Sequence, residues 1–288
     1  MAKNRKPILN ELFETRNSHS EEAEEIKKED FIKTIKSRRS VRNYNDEPVL
    51  EQDMKACLEL ALLAPNSSNL QPWEFYWVRS PEKKQKLVSY CLGQPAAATA
   101  QELVVAVARP DYWKVNQKRM LELIDEMGEK APKSVKKYYE RIVPLAYLQG
   151  LFSIRGYLKK IAMEIRGIKK PTPREPYNKK GMSVWAHKST ALACENLMLS
   201  LRAYGYDSCP MEGIDSKRIK HLLNLKSPAE ISMVVSAGKR AKNGVYGKQV
   251  RFKSSYFIHE VLSGSPTVRP LRCCACRSAT MLAAVAAS

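Results

Sequence analysis

The sequence predicts an α+β layered domain, and three observations carry the prediction. Helical and strand-like segments are mixed without the regular alternation of a doubly wound sheet. Two short runs, ELVVAVAR (Glu102–Arg109) and EISMVVSAGKR (Glu230–Arg240), are rich enough in apolar residues to be core strands. Amphipathic helices separate them, led by VLEQDMKACLELALLA, where Met54, Cys57, Leu58, Ala61 and Leu62 recur at helical spacing.

The elements follow in order. The charged opening, with EEAEEIKKED at Glu21–Asp30, reads as a helix or a loose arm. DFIKTIKSRRSVRNY then begins at Asp30 like a capped helix and closes in a basic turn. Beyond the Met54 helix, EFYWVR (Glu74–Arg79) is aromatic and β-prone. Ser80 before Pro81 and Glu82 starts a helix over PEKKQKLVSYCL. From Asp111 to Lys180 the pattern turns Lys-rich and helical. Breaks at Pro132 and KKPTPREPYNKK mark it as a helical excursion from the core that ends in a flexible loop. A long helix resumes over SVWAHKSTALACENLMLSLRAYG and stops at Gly205. Apolar residues so surround it that one face belongs to the core and another is expected at a subunit contact. YDSCPMEGID reads as a short strand and turn, after which Asp215 caps SKRIKHLLNL.

The expected organisation is a charged arm or helix over 1–30, a core domain over 31–261 with the helical insertion 111–180, and a disordered tail over 262–288. That tail, LSGSPTVRPLRCCACRSATMLAAVAAS, has a Ser/Pro/Arg start and an Ala-rich end.

Hydrophobic content of 44% and charged content of 27% over 288 residues place the chain with soluble globular proteins. No stretch approaches the ~20 apolar residues that span a bilayer. Met1–Arg16 is polar and basic without an apolar core, unlike a secretory signal, so a cytoplasmic location is expected. Cys57, Cys91, Cys194 and Cys209 sit in apolar surroundings and are expected as buried free thiols. Cys273, Cys274 and Cys276 crowd together in RCCACR, but no His follows, and no metal site is expected. The formal charge of +19 invites a nucleic-acid reading. Between Asp111 and Lys180, 17 Lys or Arg stand against 8 Asp or Glu, dispersed as on a solvated helix surface. Such a surface also attracts anionic substrates, cofactor phosphates or a membrane. Aromatics interleaved with Lys there are able to stack on bases, but no recognition motif accompanies them.

Three polar clusters lie far apart along the chain. In RRSVR, Arg38, Arg39, Ser40 and Arg42 bring three guanidinium forks and a hydroxyl within five residues, a donor set suited to phosphate; a solvated basic helix end has the same composition. In APNSSNLQPWEF, Asn66, Ser67, Asn69 and Gln71 supply donors and acceptors suited to a planar heterocycle, although the same types build turns and caps. In CPMEGID, Gly213 permits close backbone approach, and the turn is able to aim N–H groups at a ligand edge.

Taken together, RRSVRNYNDEPV, APNSSNLQPWEF, NLMLSLRAYGYDSCPMEG and GKQVRFKSS resemble, in order, the FMN-dependent nitroreductase family. The resemblance covers Phe31 to Val261 apart from the Asp111–Lys180 stretch. It implies a nitroreductase-like layered fold with a central, mostly antiparallel sheet flanked by helices, in an obligate homodimer. It implies FMN at the subunit interface, reduced by NAD(P)H and reoxidised by a nitroaromatic, quinone or related acceptor in a ping-pong cycle. By the same resemblance Arg38, Arg39, Ser40 and Arg42 match the phosphate and pyrimidine-edge group. Pro65, Asn66, Ser67 and Asn69 match positions near the ribityl chain or ring of the partner's cofactor, and Gln71 a polar contact to the ring. Pro210, Met211, Glu212 and Gly213 match the turn over the isoalloxazine, and Arg251 the residue that closes over the phosphate. Gln249 stands where the family commonly has Lys, and Lys248 is its neighbouring substitute. The resemblance leaves no side chain as catalytic acid or base, with structural roles expected for His187 and the Glu212 carboxylate.

Tyr112, Trp113, Tyr138, Tyr139, Tyr147, Phe152 and Tyr157 of the insertion are expected mostly to pack it onto the core. The alternatives are a lidded pocket in a specialised flavin dehydrogenase or dehalogenase, and a flavin- or nucleic-acid-binding protein with little turnover.

Overall fold

Strands β1 (Trp73–Trp77), β2 (Glu102–Ala108), β3 (Asp207–Met211) and β4 (Glu230–Gly238) pair antiparallel in the order β1-β2-β4-β3. The computed structural model describes residues 22–149, 154–261 and 269–270. It divides into two units, Met1–Tyr246 and Gly247–Ser288.

The first unit is layered because β2 is apolar on both sides. Leu103, Val105 and Val107 pack with Leu87, Cys91, Ile219 and Val234, whereas Val104 and Ala106 pack with Met54, Cys57, Leu197 and Leu201. A strand covered on both faces reads as one continuous apolar run. One layer holds helices α3 (Pro81–Tyr90), α4 (Pro95–Ala98) and α10 (Ser216–Leu222); the other holds α2 (Glu51–Leu62) and the long α9 (Lys179–Ala203). The cap signals act as expected: Ser80 Oγ accepts from Lys83 N and Asp215 Oδ1 from Arg218 N. Helix α1 (Lys28–Ser37) starts two residues before Asp30, which lies in its first turn, and residues 22–27 are not helical. Helix α9 also starts early, because Asn178 Oδ1 accepts from Gly181 N at 2.8 Å and caps it.

The insertion is largely helical in its described part, with α5 (Tyr112–Glu126), α6 (Lys133–Lys137), a π-turn at Tyr138–Ile142, α7 (Val143–Tyr147) and α8 (Ile154–Gly167), and residues 168–178 form the non-helical connection expected at KKPTPREPYNKK. The first break comes at Gly128, whose φ of +58° ends the helical path, and Pro132 stands at the cap of α6. Trp113, Tyr139, Val143 and Tyr147 bury themselves against Leu70, Ala108, Met182 and Trp185, so the insertion shares a core with the cluster loop and α9.

In the second unit a short turn at Ser254–Tyr256 precedes β5 (His259–Glu260), which pairs with β6 (Arg269–Pro270). The expected behaviour of residues 1–21 and of RCCACR lies outside the described residues, as does Phe152. Among the described residues no helix is long and apolar enough to cross a membrane, and no metal-binding group is found.

Candidate active site

The first and third clusters meet at the edge strand β3. Past α1 the chain runs extended, and buried Val41 pins it. Val41 N donates to Ser208 O at 3.1 Å, Ser40 forms a parallel bridge with Ser208, and Arg42 N donates to Gly244 O at 2.7 Å. Arg38 lies 3.9 Å from Glu195 on α9. Burial raises the Cys209 thiol on β3 above its ordinary range, while the Arg42 and Arg38 guanidiniums oppose that rise. Ser208 Oγ is buried and unpartnered here. Arg39 diverges from this pair: it lines a polar cleft of about 550 Å³ with Lys36, Asn45 and Arg240. Asp207, also on that cleft, is buried between Arg202 and Arg240, with Nη1 of Arg202 at 2.9 Å and Nε of Arg240 at 2.9 Å. Burial alone would lift its carboxyl, but the Arg240 and Arg202 guanidiniums outweigh it and hold the pKa below the usual carboxylate range.

The turn itself is open. Pro210 and Met211, expected in the turn, instead end β3, paired with Val235 and Val234 and half-buried and buried respectively, while Glu212 and Gly213 beyond them are exposed. Gln94 Nε2 donates to Gly213 O at 2.8 Å and Asp215 N donates to Tyr90 O, so α3 and its sequel hold the turn from below. Among the described residues the N–H groups of Glu212 and Gly213 meet no acceptor. Two adjacent free donors at a Gly turn suit an electron-rich ring edge. With the guanidiniums and the Ser40 hydroxyl of the segment bridged to Ser208 on the same strand, the donor set fits a phosphate-bearing planar heterocycle. Gln94 carried no sequence signal beyond its place before Pro95.

The second cluster is a loop under constraint. Ser68, Asn69 and Gln71 have φ of 59°, 48° and 41°, a region that costs non-glycine residues roughly 1–3 kcal/mol each. Asn66 is spent on the loop, its Oδ1 accepting from Gln71 N at 2.8 Å and its Nδ2 donating to Ala64 O. The insertion supplies the remaining restraints. Ser67 Oγ bonds Tyr147 Oη at 2.9 Å, Ser68 Oγ bonds Tyr138 Oη at 2.7 Å, and Tyr139 Oη donates to Ser68 O. Asn116 Nδ2 donates to the Leu70 and Gln71 carbonyls. Pro65 is exposed, and Asn69 and Gln71 line a cleft of about 300 Å³ with Tyr112, Asn116, Arg119 and Met120. Tyr112 lies under Arg109, and burial together with Glu74 pushes its hydroxyl pKa up to about 12. Trp113, Tyr139 and Tyr147 thus pack the insertion down, as expected, whereas Tyr157 is exposed.

The strand order keeps this loop away from the other two clusters. It leads into β1 at one edge of the sheet, and the Arg group and turn lie on β3 at the opposite edge. Lys248 and Arg251 belong to the second unit, where both are exposed and Arg251 donates to Val250 O. His187 is occupied by Ser232 and Glu230, at 3.1 and 3.0 Å, consistent with a structural role.

A profile of the nitroreductase family matches residues 35–239. The chain belongs to the nitroreductase family. Nitroreductases are FMN-dependent oxidoreductases, in agreement with the cofactor expected from the motifs. YdgI of Bacillus subtilis, which bears the name NAD(P)H nitroreductase, is 29% identical over 227 residues, covering 76% of this chain and 92% of YdgI. A Thermus thermophilus protein named NADH dehydrogenase is 28% identical, covering 72% of this chain and 85% of its own. Two solved structures share the fold. YdfN of Bacillus subtilis superposes with a TM-score of 0.65 at 22% identity, over 82% of this chain and all of YdfN. An Exiguobacterium sibiricum nitroreductase in complex with FMN does so with 0.57 at 23% identity, over 81% and 96%.

Proposed function

We propose that this nitroreductase is a homodimer that takes hydride from NAD(P)H and passes it to a nitroaromatic, quinone or related small acceptor in a ping-pong cycle. The observation that carries the reading is the junction of the Arg38–Arg42 segment with β3, which runs into the Glu212–Gly213 turn, made by the Ser40–Ser208 bridge and the Val41 N–Ser208 O bond. It unites a phosphate-binding donor set with two free backbone N–H groups.

FMN, when bound, supplies the hydride acceptance and donation. Arg38 and Arg42 would neutralise its phosphate, with Ser40 as a hydroxyl donor. The N–H groups of Glu212 and Gly213 would donate to the edge of its ring, the turn being seated by Gln94. Arg39 contributes from the neighbouring polar cleft. No side chain acts as acid or base.

The loop Pro65–Gln71 completes the site from the partner chain. Three interstrand spacings of about 4.8 Å separate β1 from β3, roughly 14 Å in all, so one chain does not fold the loop over its own turn. In a two-fold dimer each loop meets the other chain's turn. Pro65, Ser67, Asn69 and Gln71 then face the partner's cofactor, and Asn66 fixes the loop's shape. The cleft beside Asn69, walled by Tyr112 and Arg119, selects the acceptor. The protein is proposed to work in the cytoplasm.

Complementation between subunits tests this. Arg42→Ala disables the Arg group and Asn69→Ala the loop, each in its own homodimer. A purified mixed dimer of the two variants retains one intact site and recovers about half the wild-type rate. A mixed dimer no more active than either parent would contradict the shared site.

A further inference from the structure

Helix α8 is turned with its apolar side outward. At 100° per residue Ile154, Leu158, Ile161 and Ile165 form one stripe. All four are between 58% and 65% exposed, and Ile168 beyond the helix end is exposed as well. The opposite side is fastened to the insertion. Gly156 lies so close to the Tyr177 carbonyl that a Cβ would come within 1.7 Å of its oxygen. Lys159 Nζ donates to Ala146 O and Pro176 O, at 2.6 Å each, and burial lowers its pKa. A cation faces the protein and the isoleucines face solvent, the reverse of an ordinary surface helix.

The stripe has a cationic border. Arg155 and Arg166 lie on one flank, and Lys169 and Lys170 follow at the end, all four exposed. The single acid between 154 and 170, Glu164, is paired with Arg174 at 3.0 Å. Fourteen residues span about 21 Å, short of the ~30 Å of a bilayer core, so the helix has the length to lie on a membrane and not to cross it.

We infer that α8 is a docking helix for anionic lipid, lying in the headgroup plane with Ile154, Leu158, Ile161 and Ile165 inserted and Arg155, Arg166, Lys169 and Lys170 on the phosphates. Charge decides between this occupant and a second copy of the chain. A two-fold contact through the stripe would set each cationic border beside its own image, whereas anionic lipid supplies the complement. The inference stands apart from the flavin reading.

The test is cosedimentation of the purified full chain with vesicles of phosphatidylcholine alone or with about 30% phosphatidylglycerol. Partitioning is expected to be at least about tenfold stronger on the anionic vesicles and to fall steeply with salt. The double variant I161D/I165D, altered only at exposed positions, is expected to lose about tenfold in partitioning with its melting temperature unchanged. Arg155→Glu with Arg166→Glu weakens binding similarly. Absence of binding to anionic vesicles overturns the inference. So does binding that survives I161D/I165D, which would be the unspecific pull of a +19 chain. Sedimentation equilibrium in which wild type self-associates through the stripe and I161D/I165D does not would assign the face to a second copy, and would also overturn it.

Discussion

The hydroxyls of Ser67 and Tyr147 lie 2.9 Å apart, joining the cluster loop to the helical insertion. With Ser68–Tyr138 and the Tyr139 bond to Ser68 O, this pair holds three left-handed residues in one loop shape. Tyr147→Phe removes the bond to Ser67 Oγ and the longer one to Ser68 Oγ at 3.3 Å and leaves the ring packed, at a cost of about 1 kcal/mol. We expect a drop of about 2–4 °C in melting temperature, together with weaker FMN binding in a fluorescence titration. An FMN affinity unchanged in Tyr147→Phe combined with Tyr138→Phe would show that the clamp does not shape the site.

Arg42 is the sharper probe of the phosphate group. A charge-assisted hydrogen bond is worth about 1.5–3 kcal/mol, so Arg42→Ala is expected to weaken FMN roughly 10- to 150-fold. Riboflavin, which lacks the phosphate, provides the control in the same titration. Its affinity should be nearly the same in wild type and variant, and an equal loss for both ligands would mean that Arg42 acts on the fold.

Asp207 makes stability depend on acid. Its folded pKa is held down, so the stabilisation is fully present above the unfolded carboxyl value of about 3.9 and is lost as pH falls through the lower folded value. Melting temperature should therefore decline below about pH 4, and Asp207→Asn should flatten that decline. The variant should also be less stable at neutral pH, by about 1–3 kcal/mol, since two partly exposed arginines lose their partner. Parallel pH profiles for the two proteins would exclude Asp207 as the titrating group.

Buried thiols give a chemical check on the layers. Burial pushes the Cys57, Cys91 and Cys194 thiols up to about 12, and Cys209 is raised as well. These four should stay unreactive to a disulfide reagent at pH 8 until the fold is melted. In a chain whose Cys273, Cys274 and Cys276 are replaced by Ser, rapid modification of the native state would contradict the packing of α2, α3 and α9 against the sheet.

Much of the fold was legible because it rests on patterns local in sequence. The continuous apolar run of β2 announced burial on both faces, Ser80 and Asp215 announced helix starts, and the motif order announced the family. What depends on chain geometry was not legible. Nothing local says that Ser40 pairs with Ser208, or that Ser68, Asn69 and Gln71 adopt positive φ. Asn66 is expected as a cofactor contact, and nothing local shows that its Oδ1 also accepts from Gln71 N, 2.8 Å away in space and five residues away in sequence. The tyrosines of the insertion were legible as packing residues. Their hydroxyl bonds to Ser67 and Ser68 required the folded distance.

The most direct measurement is the absorbance spectrum of the purified protein before and after anaerobic NADH or NADPH. A yellow protein is expected, whose flavin bands bleach with one or both nucleotides and return when a quinone or nitroaromatic is added. A protein that holds no flavin even after incubation with FMN would contradict it, because the Arg38–Arg42 group and the Glu212–Gly213 turn would then not form the site assigned to them.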